Sequence, residues 1–466
     1  VKAVPIKKAV VLKRPLSFLS LLLAHDDKIL NMDANRFATH SLNDPRILRI
    51  LSAALDAVDP YRAVKNHLPK IAGDVYGLAV GKAAVPMLTA LADSIPLSGA
   101  LAISKYASPS TFNLFPLLLS GHPIPDARSA YAGERALEFV SSLKADDTLV
   151  CLISGGGSAL MTAPLIPLEE LQNLTASLLA SGATINEINT IRRHLDRVKG
   201  GGLARATKAN IISLILSDVI GNPLEAIASG PTAPDPTTRE DALRILEKYF
   251  AAEAQRRGDS NFIDSATQRL SGKFVKPSDD IFSHVQNIII GDNQLAARAA
   301  LEQAQREGFH SEILTNELQG EARDMGVLLA KKLRDEISKR LRPFCLIAGG
   351  ETTVTLRRGS GLALKGNGKG GRNQELALAA INELRNVSNV MLVSLATDGD
   401  DGPTDAAGAV ATGESAERAE RLGFGAADSL SRNDAYPFFE SLGDLIKTGP
   451  SGTNVNDLVF LFGLSE

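Results

Sequence analysis

Two uncharged apolar runs in this chain break off in the same way. One reads CLISGG at 151–156 and the other CLIAGG at 345–350. A short run with no charge fits a strand buried on both faces, as in a parallel sheet. Consecutive glycines at its end allow a tight turn and a close approach to the backbone. Similar runs end in polar residues elsewhere: Val75–Val80 in Gly81-Lys82, Ile211–Leu216 in Ser217-Asp218, and Val390–Ala396 in Thr397-Asp398. Asn287–Gly291, Glu312–Leu314 and Asn456–Leu461 add further strand candidates. Helical patterns alternate with them. After Asp44-Pro45, a cap and a first-turn proline, Ile47, Ile50, Leu51, Ala54, Leu55 and Val58 recur at helical spacing. Leu168–Ser181, the stretch after Asp292, and roughly residues 321–339 read the same way. Strand–helix alternation predicts an α/β fold in two halves, with loops beyond the strand carboxyl ends facing one cleft.

Length supports the two halves, since 466 residues exceed what one core usually organises. A net charge of −3 gives no reason to expect a nucleic-acid or membrane-surface partner. Cys151 and Cys345 both lie in apolar runs and read as buried thiols of a reducing compartment, which predicts a cytoplasmic protein. No run of about 20 apolar residues is present to span a membrane. Residues 1–31 place Lys2, Lys7, Lys8, Lys13 and Arg14 ahead of LSFLSLLLA, and no clean cleavage site follows. They are read as an upstream extension or disordered leader ahead of Met32.

The strand ends carry the chemistry. Gly81-Lys82 after a strand resembles a phosphate site in miniature, although the GxxxxGK[ST] spacing is missing. Between Leu356 and Arg372 a glycine-rich run holds Arg357, Arg358, Lys365, Lys369 and Arg372, offering N–H groups and positive charge together. A solvated surface loop has the same composition. Asn186–Ala204 bears Arg192, Arg193, His194, Arg197 and Lys199, either a solvated helix face or an anion-binding one. HPIPD at 122–126 is a stiff loop that leaves His122 and Asp126 free to face a site. Asp218 closes a strand, where a carboxylate is well placed for Mg²⁺; Asp398, Asp400, Asp401 and Asp405 crowd eight residues, as in a cation site or a capped turn. The glycine runs lack GxGxxG, SGGGS is a weak echo of a nucleophile elbow, and no histidines show zinc-ligand spacing. Glycine turns, cations and aspartates at strand ends match phosphoryl transfer, which needs positioned charge more than covalent chemistry.

Seven stretches then bear a resemblance: HPIPD at 122–126, LISGGGSAL at 152–160, INTIRRHLDRVKGGGLA at 188–204, LSDVIGNPLEAIASGPTAPDPTT at 216–238, GGETTVT at 349–355, GKGGRNQE at 368–375 and TDGDDGPTDAAGA at 397–409. In unbroken order from about Asp44 to Phe462, they resemble the glycerate 2-kinase family, whose C-terminal part is known as MOFRL. The resemblance implies ATP- and Mg²⁺-dependent conversion of D-glycerate to 2-phosphoglycerate. It implies an N-terminal Rossmann-like α/β/α sandwich over 40–283 and a C-terminal α/β domain over 284–466 with the MOFRL region at 343–462. The active site is expected in the cleft between them. Hydroxypyruvate reductase, a name the family has also carried, is the alternative activity, and a homodimer is an assembly this reading allows. Carried over by motif, Lys82 and Arg372 are assigned to the transferred phosphoryl group. Ser154, Gly155, Gly156, Gly157, Ser158, Arg192, Lys199, Gly349, Gly350, Glu351, Gly370, Gly371, Asn373 and Glu375 are assigned to nucleotide or substrate. Asp218, Asp398 and Asp401 are the expected metal ligands. The connection LRRGSGLALKGN at 356–367 departs from the family, which runs more directly from GGETTV to GKGGRNQE.

Overall fold

The computed structural model describes residues 33–106, 115–257, 266–270, 279–356 and 368–465. The leader and residues 357–367 of the departing connection lie outside them. Six strands form the first sheet: β1 (Val75–Val80), β2 (Gly99–Ser104), β3 (Leu117–Leu119), β4 (Thr148–Ile153), β5 (Asn210–Leu216) and β6 (Val285–Gly291). Their order is β3-β2-β1-β4-β5-β6 and every pair is parallel. Successive side chains point to opposite faces of a strand. Accordingly Ala79, Val150, Leu152 and Leu214 enter one apolar cluster, and Leu78, Val80, Cys151, Ile153 and Ile215 enter another. This doubly covered parallel sheet is the buried layer that the uncharged runs predict and the Rossmann-like sandwich that the resemblance implies.

The second sheet holds β7 (His310–Glu321), β8 (Phe344–Thr353), β9 (Val390–Ala396), β10 (Gly408–Thr412), β11 (Leu445–Ile446) and β12 (Asp457–Gly463). Its order is β11-β10-β9-β12-β8-β7. β7 and β8 run parallel, but β12 inserts antiparallel between β8 and β9. The sheet is therefore mixed. The last segment of the chain returns to its middle and brings residues 453–457 back toward the carboxyl ends of β8 and β9.

Two features depart from the expected division at 284. β6 pairs with β5 and is the edge of the first sheet, not the opening strand of the second. The helix Pro45–Asp56, capped by Asp44, packs against the helix Asn293–Arg306 of the second unit. Its buried residues, including Ile47, Ile50 and Leu51, join a cluster that also contains Ile347, Val393, Phe460 and Phe462 of the second sheet. The N-terminal helix thus lies physically with the C-terminal sheet. Among the described residues no helix is long and apolar enough to cross a membrane.

Candidate active site

The carboxyl ends of β1, β4, β5, β8 and β9 converge on one cleft of about 620 Å³. Lys82 follows β1, Gly156 follows β4, Asp218 follows β5, Glu351 lies near the end of β8, and Asp398 follows β9. Arg372 enters from the start of the helix Arg372–Leu384, behind Gly370 and Gly371. Residues from both sheets thus share a single space, the arrangement expected where ligands bind beyond strand ends.

Lys82 is placed by two adjoining turns. Its backbone N–H donates to the Gly155 carbonyl at 2.9 Å. The Ser154 hydroxyl accepts from the Ala83 N–H at 3.0 Å. Gly81 sits at φ +124°, and a Cβ there would collide with Ser154. Ser154 therefore locks the β1 and β4 turns together and does not face the cleft as a ligand group. Lys82 Nζ donates to Asp398 at 2.8 Å. Burial would lower the Lys82 pKa, but Asp398 outweighs it and leaves the pKa raised, so the ammonium keeps its charge.

Arg372 is held in a fork. Its Nε and Nη2 donate to Asp457 at 2.5 and 3.0 Å, and Nη1 donates to Glu351 at 2.6 Å. Burial pushes Asp457 up to about 6 despite the facing guanidinium. Asp218 is also lifted to about 6, by burial first and then by Glu351. Asn454 Nδ2 donates to it at 3.3 Å. Gly155 is required here, because a side chain at that position would strike both Asp218 and Asn454.

His122 forms another wall, and burial followed by Lys82 lowers its pKa to about 4, so it is neutral near pH 7. His122 Cδ2 lies 3.0 Å from where a Cβ on Gly156 would be. Tyr106 and Lys105, at the end of β2, also line the cleft, and the Tyr106 hydroxyl donates to Asp400 at 3.3 Å.

Several expected residues have other jobs. Gly349 and Gly350 lie inside β8, paired with Leu458 and Asp457, and do not line the cleft. A side chain at Gly349 would collide with Asn293, and one at Gly350 with the Leu318 backbone, so these glycines serve strand packing. Asp401 is turned inward. One carboxylate oxygen accepts from the Asn373 N–H at 3.0 Å and the other from the Gln374 N–H at 2.9 Å, capping the helix that carries Arg372. Asn373 is buried and accepts from Ser394 at 2.7 Å. Glu375 reaches the cleft wall but is held by Arg323 at 2.6 Å and Asn433 at 2.8 Å. Gly157 is buried against Ala228. Ser158, Arg192 and Lys199 line a different cavity, beside the cleft. Among the described residues no group of three or more His, Cys, Asp or Glu is arranged to hold a metal ion unaided.

Asn454, Asn456 and Asp457 escaped the sequence reading. Their signal was the polar TNVND run immediately ahead of the last apolar strand. Only the antiparallel insertion of β12 brings them to the site.

Two family models match the chain: a domain of unknown function, DUF4147, over residues 46–257, and the MOFRL family over 344–457. A glycerate 2-kinase of Pyrococcus horikoshii is 40% identical over 438 residues, covering 90% of this chain and 97% of that protein. A D-glycerate 2-kinase of Thermotoga maritima is 41% identical over 424 residues, covering 88% and 96%. The crystal structure of a glycerate kinase from Thermotoga maritima superposes with a TM-score of 0.79 at 40% identity, covering 89% of this chain and 98% of that one. Matching sequence and matching fold agree: this chain belongs to the glycerate 2-kinase family.

Proposed function

We propose that this protein transfers the γ-phosphoryl group of ATP to D-glycerate, giving 2-phosphoglycerate, in the cleft between its two sheets. The observation that carries the reading is the convergence of Lys82 from the first sheet and Arg372 from the second on one space. Both cations are held by carboxylates that incoming phosphate oxygens would share: Asp398 for Lys82, Asp457 and Glu351 for Arg372. Charges fixed in advance stabilise a transition state without reorganising during the reaction. The hydroxypyruvate reductase alternative has no support in the turns after β1 and β4, which lack a dinucleotide fingerprint.

The donor set also suits a divalent cation. The cleft is lined by Lys82, Lys105 and Arg372 against Asp218, Glu351, Glu375, Asp398, Asp400 and Asp401. A polyphosphate entering such an excess of carboxylate needs a counter-ion. Mg²⁺ commonly uses one or two carboxylates together with phosphate oxygens and water. Asp218, raised by burial beside Glu351, is the first ligand we assign, with Asp398 as the second. When bound, Mg²⁺ would neutralise charge on the phosphate oxygens. Asp401 is left to its capping role. The reading also makes the protein cytoplasmic, which fits its two buried, unpaired cysteines.

Phosphorus NMR of the product from D-glycerate and ATP tests the proposal. A 2-phosphoglycerate signal is expected, and 3-phosphoglycerate would overturn the regiochemistry. Lys82→Ala and Arg372→Ala should each lower kcat by about a hundredfold or more. Unchanged turnover would remove these residues from phosphoryl transfer.

A further inference from the structure

A second cavity, of about 290 Å³, lies wholly in the first unit. One wall is the loop Pro123, Ile124 and Pro125; the other is the helix Leu168–Ala180, presenting Leu171, Ala176 and Leu179. The two walls are mainly aliphatic. The cavity adjoins the cleft at two places. His122 and Gly156 line the cleft, whereas Pro123 and Ser158 line the slot. Gly156 sits at φ +84°, and a side chain there would run against the His122 ring. Its bareness leaves room beside the His122 ring where the two spaces adjoin.

The polar end of the slot carries one uncompensated charge. Lys199 Nζ donates to Asp196 at 2.8 Å, so those two cancel. Asp196 also accepts from the Ala163 and Val198 N–H groups, at 3.1 and 2.8 Å. Arg192 faces the same cavity. Burial works against its charge and Asp196 only partly supports it. An anion beside Arg192 would relieve that cost.

An apolar slot with one net positive charge at one end, adjoining a phosphoryl-transfer site beside a bare glycine, fits a nucleoside with a phosphate chain. D-glycerate has no apolar body to place between aliphatic walls. The third cavity, near Asn456, is lined by Asp292 and Glu317 and would repel phosphate. We infer that the slot between Pro123–Pro125 and the helix Leu168–Ala180 holds the adenosine of ATP. Arg192 meets the phosphate nearest the ribose, and the remaining phosphates pass Gly156 toward Lys82. This assignment rests on the kinase reading above and adds which unit holds the nucleotide.

Ala176 is exposed on the slot-facing helix, so Ala176→Trp should fill the slot without disturbing the core. Steady-state kinetics with ATP and D-glycerate, and calorimetric titration with ADP, are measured on the full chain. In Ala176→Trp and in Arg192→Gln, the KM for ATP and the Kd for ADP should each rise about tenfold or more, with the KM for D-glycerate within about twofold of wild type. A rise in the glycerate KM instead, or an unchanged ADP Kd in both variants, overturns the slot assignment while leaving glycerate phosphorylation standing. Failure of the wild type to phosphorylate glycerate would sink the kinase reading separately. Loss of ADP binding in the variants would then still support the slot.

Discussion

His122 lies where Lys82 and Lys105 both approach a partly buried imidazole, while the Asp398 carboxylate favours its protonation. Its pKa of about 4 in the folded protein lies below the ordinary 6.5. Between those values the unfolded chain binds more protons, so stability falls as pH drops from about 6.5 toward about 4 and is level above that window. After discounting for solvent screening, the effect is on the order of 1 kcal/mol. Denaturant titrations at about pH 5 and about pH 7.5 should show a smaller pH-dependent loss in His122→Asn than in wild type. Equal losses would mean that the imidazole is not held neutral. The histidine itself was legible, because HPIPD is a stiff loop with few ways to hide a side chain. Its electrostatic neighbours were not, since Lys82 and Asp398 come from turns 40 and 276 positions away in the chain.

Elements explain where the sequence reading misplaced chemistry. Glycines after an apolar run predict a turn, but β8 continues through Gly349 and Gly350 to Thr353. They are needed because Asn293 and the irregular β7 press against that strand. The acidic loop after β9 was legible as a site, yet its four aspartates divide by their surroundings. Asp398 points to Lys82, whereas Asp401 answers the exposed N–H groups of the helix Arg372–Leu384. A helix start needs acceptors for its first amides, and composition cannot tell such a cap from a metal ligand. Asp401→Ala should therefore destabilise the protein by about 1–3 kcal/mol, seen as a lower denaturation midpoint. It should also lower activity, because Arg372 is the first residue of the capped helix. Weakened metal dependence with unchanged stability would instead restore Asp401 as a metal ligand.

At the scale of the molecule, the two sheets share one core between them, while the other face of each packs in a cluster of its own. Ala79, Leu152 and Leu214 of the first sheet and Ile347, Val393 and Phe460 of the second belong to one apolar cluster, which also holds Leu216, Ile290 and Ala296. The helix Pro45–Asp56 precedes the first sheet in the chain but packs with the second unit, so the chain passes between the units near Val58 and again after Gly291. Periodicity revealed the principal strands and helices and the α/β class, but not the short strands β3, β10 and β11. It could not reveal this interleaving, because amphipathic faces do not name their partners. The cleft depends on it: Lys82 and Arg372 are aligned only while the two sheets keep their mutual placement. A shared core predicts one cooperative unfolding transition, where two-domain chains often show two. Leu51 is fully buried in that cluster, and Leu51→Ala should cost about 2–5 kcal/mol. Scanning calorimetry should show a single peak for wild type and a single, lower peak for the variant, with ADP-binding capacity lost at the same temperature. A variant profile split into two peaks, with one left at the wild-type temperature, would show that the sheets unfold independently and that the central cluster does not couple them.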